Sequence, residues 1–380
     1  MATTGSAGTV SCRRAFSLIE LIVVTAILAL LAGIVLTGVQ SARESARRIQ
    51  CASNLRQLGL GLMLHHEAHG VLPPSWGGPD STCTLTWGTP PETKPYPRPG
   101  IGLASGFVML LPYIGEESLY AAIETARWPY VQHPVYESAR ILTLLCPSDS
   151  TPRSHNYLFS IGDRYREFST ADPRPPALDS AFQSELRGLF GLQSRVRLAS
   201  VRDGLSNTIA VSECVRPRGL GQTGAKTNGS SGITYSDANH EAVANNRFAV
   251  SLDASYSPAN CLAAFAGDGF RAGTVLLVMT RSPGWLWSFG RPSCVSFSTV
   301  LPPNAPRCSD YDLRGSLTPQ SRHPGGVMGL MADGAVRFIG DSIDAGDPNL
   351  PDRQKGPSPY GVWGALGSRS GGEVVAIPGS

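Results

Sequence analysis

Arg13-Arg14-Ala15-Phe16-Ser17-Leu18-Ile19-Glu20-Leu21 sets a carboxylate at the fifth position of a run that is otherwise apolar. From Phe16 to Val39, Glu20 is the only ionisable side chain. A helix over 16–39 is about 36 Å long, enough to cross the hydrocarbon core of a bilayer. A carboxylate in that environment costs on the order of 2.5 kcal/mol or more unless it is paired or reaches the interface, which marks Glu20 as a candidate functional residue. The segment predicts a membrane helix with one charge that has a task.

Basic leader, small residue, Phe, three residues, Glu and a long apolar helix together resemble the N-terminal cleavage and methylation segment of type IV pilins and type II secretion pseudopilins. That resemblance implies a prepilin peptidase that cuts between Ala15 and Phe16 and methylates the new amine. It further implies a leader at 1–15 in the cytoplasm, a single pass through the inner membrane at 16–39, and an exported body. The family usually has Gly before the cut; Ala15 is also small enough for a tight peptidase subsite. In a bundle of parallel helices, Glu20 can pair with the cationic amine of a neighbouring Phe16, a contact strengthened by low dielectric. The competing readings are a plain anchor whose Glu20 snorkels to the interface, and a twin-arginine export signal, which would not normally carry Glu20. Arg13 and Arg14 precede the helix and Arg43, Arg47 and Arg48 follow it, so the positive-inside rule leaves orientation to the resemblance.

A net charge of +3 with 16% charged residues offers no basic stripe for nucleic acid. The 42 glycines and 30 prolines point to a loop-rich body, and the residues beyond the helix suffice for a real core. Of the eight cysteines, Cys12 lies in the leader and Cys51 in the helix, leaving Cys83, Cys146, Cys214, Cys261, Cys294 and Cys308 in the body. Six cysteines in an exported domain suggest disulfides of undecided connectivity, with Cys51 an odd thiol that is either buried or links two subunits. No C-x-x-C pair occurs, which argues against a thiolate zinc site.

Residues 40–70 lack proline and place Ile49, Leu55, Leu58, Leu62 and Met63 at helical spacing, predicting an amphipathic continuation of the helix that stops at Gly70 before Pro73-Pro74. Residues 77–100 read as a surface loop and 107–126 as a second helix. Strands are expected over 140–146, 156–161 and 208–215, and an irregular insertion over 219–260. The body is residues 71–380.

His323-Pro324-Gly325-Gly326 leads into the apolar runs 327–331 and 335–339, separated by Asp333-Gly334. This predicts a hairpin closed by a tight primed turn, because Asp and Gly tolerate positive φ. With Cys146-Pro147-Ser148-Asp149, with Asp203-Gly204-Leu205-Ser206-Asn207-Thr208-Ile209 ahead of Glu213, and with Ser105-Gly106-Phe107 running into Leu110-Leu111-Pro112-Tyr113, it resembles a large bacterial family of pilin-like proteins. That family is defined by a histidine, nine residues and Asp-Gly, here His323 and Asp333-Gly334, and its body is domain of unknown function 1559. The resemblance implies a prepilin-type anchor and an exported body, with no established activity.

Candidate ligands follow from residue type. His323 and Asp333 could hold a metal or a small polar ligand if the fold brings them together, and Asp341, Asp344 and Asp347 could supply oxygens to calcium, the one cofactor the sequence suggests. His65 and His69 are an i, i+4 pair without a third ligand. The stretch 219–227 approaches a phosphate-binding loop, but its Lys226 is one residue late. No G-x-S-x-G elbow occurs, neither Asp203 nor Glu213 has an evident partner, and Trp285, Trp287 and Trp363 read as packing residues.

The expectation is an α+β, pilin-like fold: a long N-terminal helix packed on an antiparallel sheet with loop-rich insertions. The expected function is a non-enzymatic, pseudopilin-like structural subunit whose partners are the inner membrane, prepilin peptidase and other pilin-like subunits or itself. The alternative is a solitary anchored module that binds carbohydrate or another extracellular ligand.

Overall fold

The computed structural model describes residues 18–76, 104–126, 138–149, 155–164, 187–191, 194–215, 257–266, 286–290, 292–310, 314–373 and 375, with short segments at 86–87, 94–95, 232–234, 248–250, 269–270, 275–277 and 283–284. Ala15, Phe16, Cys83, Trp285, the near-P-loop stretch and most of the expected loop and insertion lie outside the described residues. The chain divides into two units, 1–47 and 48–380.

Helix α1 runs Leu18–His69 without interruption. Its part in the first unit is exposed along its apolar side chains, from Leu18 at 77% to Ile34 at 64%. Among the described residues it is the one helix long and apolar enough to cross a membrane, which fits a single-pass membrane anchor. In the second unit the same helix buries Cys51, Leu55, Leu58, Leu62 and His65, a stripe at helical spacing. Gly70, at φ +72°, ends it as expected.

The body is built on a five-stranded sheet. Its strands are β1 Tyr157–Ser160, β2 Ile209–Glu213, β3 Ser296–Phe297, β4 Gly326–Met331 and β5 Val336–Gly340, in spatial order β3-β1-β2-β4-β5. The α+β class holds, but the sheet is mixed rather than antiparallel: β3 runs parallel to β1, with Ser296 beside Phe159, while the other pairs are antiparallel. A parallel neighbour needs a long connection, and the chain between β1 and β3 supplies one.

Successive residues of the sheet feed two cores. Tyr157, Phe159, Met328 and Leu330 join Leu55 and Leu58 of α1, whereas Leu158, Val327 and Ile339 join Trp363 and Leu366. The latter two sit on a short helix at Gly361–Gly367. Ile209 and Val211 serve opposite cores although strand alternation would put them on one face, because the register of β2 against β4 shifts between Leu330 and Met331.

Three local expectations are corrected. The expected strand at 140–146 is a 3₁₀ turn over Leu142–Leu144, because Asn54 Nδ2 donates to the Leu145 carbonyl and Asn156 Oδ1 accepts from Cys146 N, so side chains take the groups a ladder would use. The second helix is split into Gly106–Leu110, a 3₁₀ turn at Leu111–Tyr113 and Glu117–Ala126 by Gly115 at φ +87°. The β4–β5 hairpin has a three-residue loop instead of a primed turn: Gly334 N donates to Met331 O, Met331 N donates to Ala335 O, and only Gly334 takes positive φ, at +88°. Asp333 stays at negative φ and accepts from Ala335 N. Within the expected irregular insertion, Gly232–Thr234 and Phe248–Val250 are short strands.

Cysteine pairing is also settled for the described residues. Cys51 bonds to Cys146 and Cys261 to Cys308, while Cys214 and Cys294 are buried thiols. Cys51 is therefore not an odd thiol available to link subunits.

Candidate functional site

Two places are candidates for a functional site. The first is the start of α1, where Glu20 lies exposed in the first turn of the helix.

The second lies where β2, β4, α1 and the Cys146-Pro147-Ser148-Asp149 segment meet. Cys51 is at 0% exposure, Cys146 6%, Glu213 1% and His323 2%. Local hydrogen bonding fixes each one. Asn156 is the organiser of the Cys146 segment: besides holding Cys146 N, its Nδ2 donates to Asp149 Oδ2 at 2.9 Å and to Cys214 O at 3.0 Å. Tyr157 donates its hydroxyl to Cys51 O at 3.3 Å. Burial, and then the nearby Glu213 carboxylate, hold the Tyr157 phenol well above its ordinary range, so it stays a donor.

Glu213 ends β2 and its Oε2 accepts from Met328 N of β4 at 2.9 Å. Its Oε1 has no hydrogen-bond donor and lies 3.4 Å from His323 Nε2. The same Nε2 is 3.7 Å from Cys146 Sγ, and His323 Nδ1 is 3.4 Å from Ser148 Oγ. His323 N donates to Ser321 Oγ, and Arg48 reaches the Pro324 carbonyl while its guanidinium lies 4.4 Å from the centre of the Phe338 ring. The ligand atoms of Cys51, Cys146, Glu213 and His323 all lie within 4.8 Å of one another.

The structure does not bring His323 and Asp333 together. His323 precedes β4 and Asp333 follows it, a separation of roughly 20 Å for a six-residue strand. Asp333 and Gly334 form the exposed turn, whereas His323 is buried beside Glu213, a partner the sequence did not suggest. The available signal was the charge of Glu213 inside the apolar run from Thr208 to Val215.

Asp341, Asp344 and Asp347 are each engaged locally. Asp341 accepts from Asn304 Nδ2 at 2.7 Å, Asp344 from Gly346 N at 3.0 Å and Val362 N at 3.4 Å, and Asp347 from the backbone and side chain of Asn349, both at 2.9 Å. The Asn349 bonds, backbone first, hold the Asp347 carboxyl below its ordinary value. Asp203 accepts from Gly371 N and Gly372 N at 2.6 and 2.8 Å, so it ties the β2 approach to the C-terminal segment in addition to forming a turn. The His65 and His69 rings lie 4.4 Å apart between centres, yet they bond separately to Val71 O and Tyr113 Oη, and His66 Nε2 accepts from Leu198 N.

A family model described as a protein of unknown function (DUF1559) matches residues 40–346, and another, described as a prokaryotic N-terminal methylation motif, matches residues 10–36. No curated protein and no solved structure gives a significant match.

Proposed function

Because this chain belongs to the DUF1559 family of proteins of unknown function and carries a prokaryotic N-terminal methylation motif, we propose that it is a pseudopilin-like structural subunit of an extracytoplasmic assembly or secretion system. One observation carries this reading: the methylation motif runs into α1, and Glu20 is the only ionisable side chain from Phe16 to Val39. Prepilin peptidase removes residues 1–15 and methylates the amine of Phe16. Helix α1 then holds the protein in the inner membrane, with the leader side cytoplasmic and the body outside. Glu20 pairs with the Phe16 amine of a neighbouring subunit, which offsets the cost of a carboxylate in lipid and sets the stagger between helices. The role is non-enzymatic, and the body supplies surface contacts through the segments around the sheet.

The test is the mass and N-terminal sequence of the mature protein isolated from its host membranes, followed by in-cell crosslinking of Glu20→Ala. N-methylated Phe16 and crosslinked assemblies lost in Glu20→Ala, with membrane insertion retained, support the proposal. An intact Met1 removes the processing step. Processing at Phe16 with assemblies unchanged in Glu20→Ala leaves a solitary anchored binding module.

A further inference from the structure

We propose that Cys51, Cys146, His323 and Glu213 form a redox-gated metal site: a disulfide closes it, and reduction opens a buried set of two thiolates, one imidazole and one carboxylate for a tetrahedral divalent ion of the zinc type. Thiolate, imidazole and carboxylate are the three donor types that zinc takes from proteins.

The geometry already matches two edges of the required tetrahedron. With metal–nitrogen and metal–oxygen bonds near 2.0–2.1 Å, a tetrahedral N···O edge is about 3.3 Å, and with a metal–sulfur bond near 2.3 Å an S···N edge is about 3.6 Å. The corresponding distances are 3.4 Å from Glu213 Oε1 to His323 Nε2 and 3.7 Å from Cys146 Sγ to His323 Nε2. The Cys51–Cys146 edge is closed off, because those two sulfur atoms are bonded to each other.

The atoms that face one another are the ones a metal needs. Glu213 Oε2 is held by Met328 N, which leaves Oε1, buried and without a hydrogen-bond donor, directed at His323. Ser148 Oγ lies against His323 Nδ1, an outer contact of the kind that orients a metal-bound imidazole and leaves Nε2 for the ion. The four residues come from α1, the Cys146 segment, β2 and the loop before β4, so an ion there would join the two elements that the disulfide joins and tie β2 and that loop to them.

The chemistry balances with one co-reactant class. A dithiol or two monothiols reduce the disulfide by two electrons and supply the two protons that appear on Cys51 and Cys146, becoming a disulfide themselves. The ion then displaces both thiol protons to solvent and is held by two thiolates, a neutral His323 and ionised Glu213. Air or another two-electron oxidant reverses the sequence and expels the ion.

The full-length chain in detergent is split into an oxidised sample and one reduced anaerobically with a phosphine, then titrated with cobalt(II) and back-titrated with zinc. The proposal expects one equivalent of cobalt in the reduced sample alone, with tetrahedral d–d bands and a thiolate charge-transfer band that zinc abolishes. His323→Gln and Glu213→Gln, reduced in the same way, should weaken cobalt binding at least about tenfold. Far-UV circular dichroism follows each sample, and if reduction alone loosens the body, zinc must restore its signal. The proposal is overturned by a reduced sample without the charge-transfer band, folded or not. It is equally overturned if the band appears in the oxidised sample, or persists unchanged in Cys51→Ser/Cys146→Ser, where other thiols would be its source.

Discussion

Cys51, in the part of α1 that follows the membrane-length stretch, is disulfide-bonded to Cys146, 95 residues later and next to the proline of the Cys146-Pro147-Ser148-Asp149 segment. The bond fastens the amphipathic part of α1 to the segment that Asn156 organises, within one unit of the chain.

Closing a loop of that length removes unfolded-state entropy worth about 4–5 kcal/mol in the chain-entropy model. Cys51→Ala/Cys146→Ala should therefore lower the unfolding free energy of the oxidised protein by up to that amount. Denaturant titrations with and without a reductant check it. A midpoint insensitive to both the substitution and the reductant would remove the stabilising role.

Arg187 and Asp163 form a buried bidentate pair, with Nε 2.6 Å from Oδ1 and Nη2 3.0 Å from Oδ2, while Nη1 donates to Gly356 O. Removing one partner leaves an uncompensated buried charge, so Arg187→Ala should cost about 3–5 kcal/mol. Arg187→Lys should also destabilise, because an ammonium cannot reproduce the fork. Thermal melting of the two variants distinguishes a required fork from a required charge: equal stability of Arg187→Lys and wild type would refute the former.

His65 is buried and its pKa is pushed down from 6.5 to about 4, first by burial and further by the charges of His69 and His66, against the opposing effect of its bond to Val71. Its Nδ1 donates to Val71 O at 3.0 Å, which the neutral ring can do. The unfolded chain binds the proton more readily, so this contribution is fully present above about pH 6.5 and is lost as pH falls towards 4, with an upper size on the order of 3 kcal/mol. Unfolding titrations at several pH values in that window should show stability rising with pH, and His65→Asn should flatten the slope. An unchanged slope in the variant assigns it to other groups.

Gly326 and Gly334 bracket β4 and predict different costs. A Cβ at Gly326 would run into the Ile339 carbonyl oxygen, a backbone atom of the neighbouring strand, whereas Gly334 has open space but sits at φ +88°. Gly334→Ala should therefore cost about 1–2 kcal/mol through the left-handed backbone alone. Gly326→Ala should cost more, because relief requires β4 and β5 to part. Paired denaturation curves check the order, and a milder effect at Gly326 would contradict this packing.

The hairpin shows how far local reading reaches. Two apolar runs flanking Asp-Gly identified β4 and β5, but not their loop geometry, which depends on whether Asp333 or only Gly334 takes positive φ. At 140–146 the apolar run read as a strand, yet Asn54 and Asn156, outside that run, claim its polar groups. The candidate site was legible one residue at a time. His323 and Glu213 stood out by type, while the pairing of Cys51 with Cys146 did not follow from spacing.

The sequence by itself determined the membrane-length helix, its lone Glu20, the amphipathic continuation, the α+β class and the sheet strands β1, β2, β4 and β5, since each is a periodicity or a composition that neighbouring residues impose on one another. Only the tertiary structure decided the parallel edge strand, the disulfide pairing and the meeting of Cys51, Cys146, His323 and Glu213. Those contacts join residues far apart along the chain, and such closure is selected by the packing of whole elements against one another rather than by local preference.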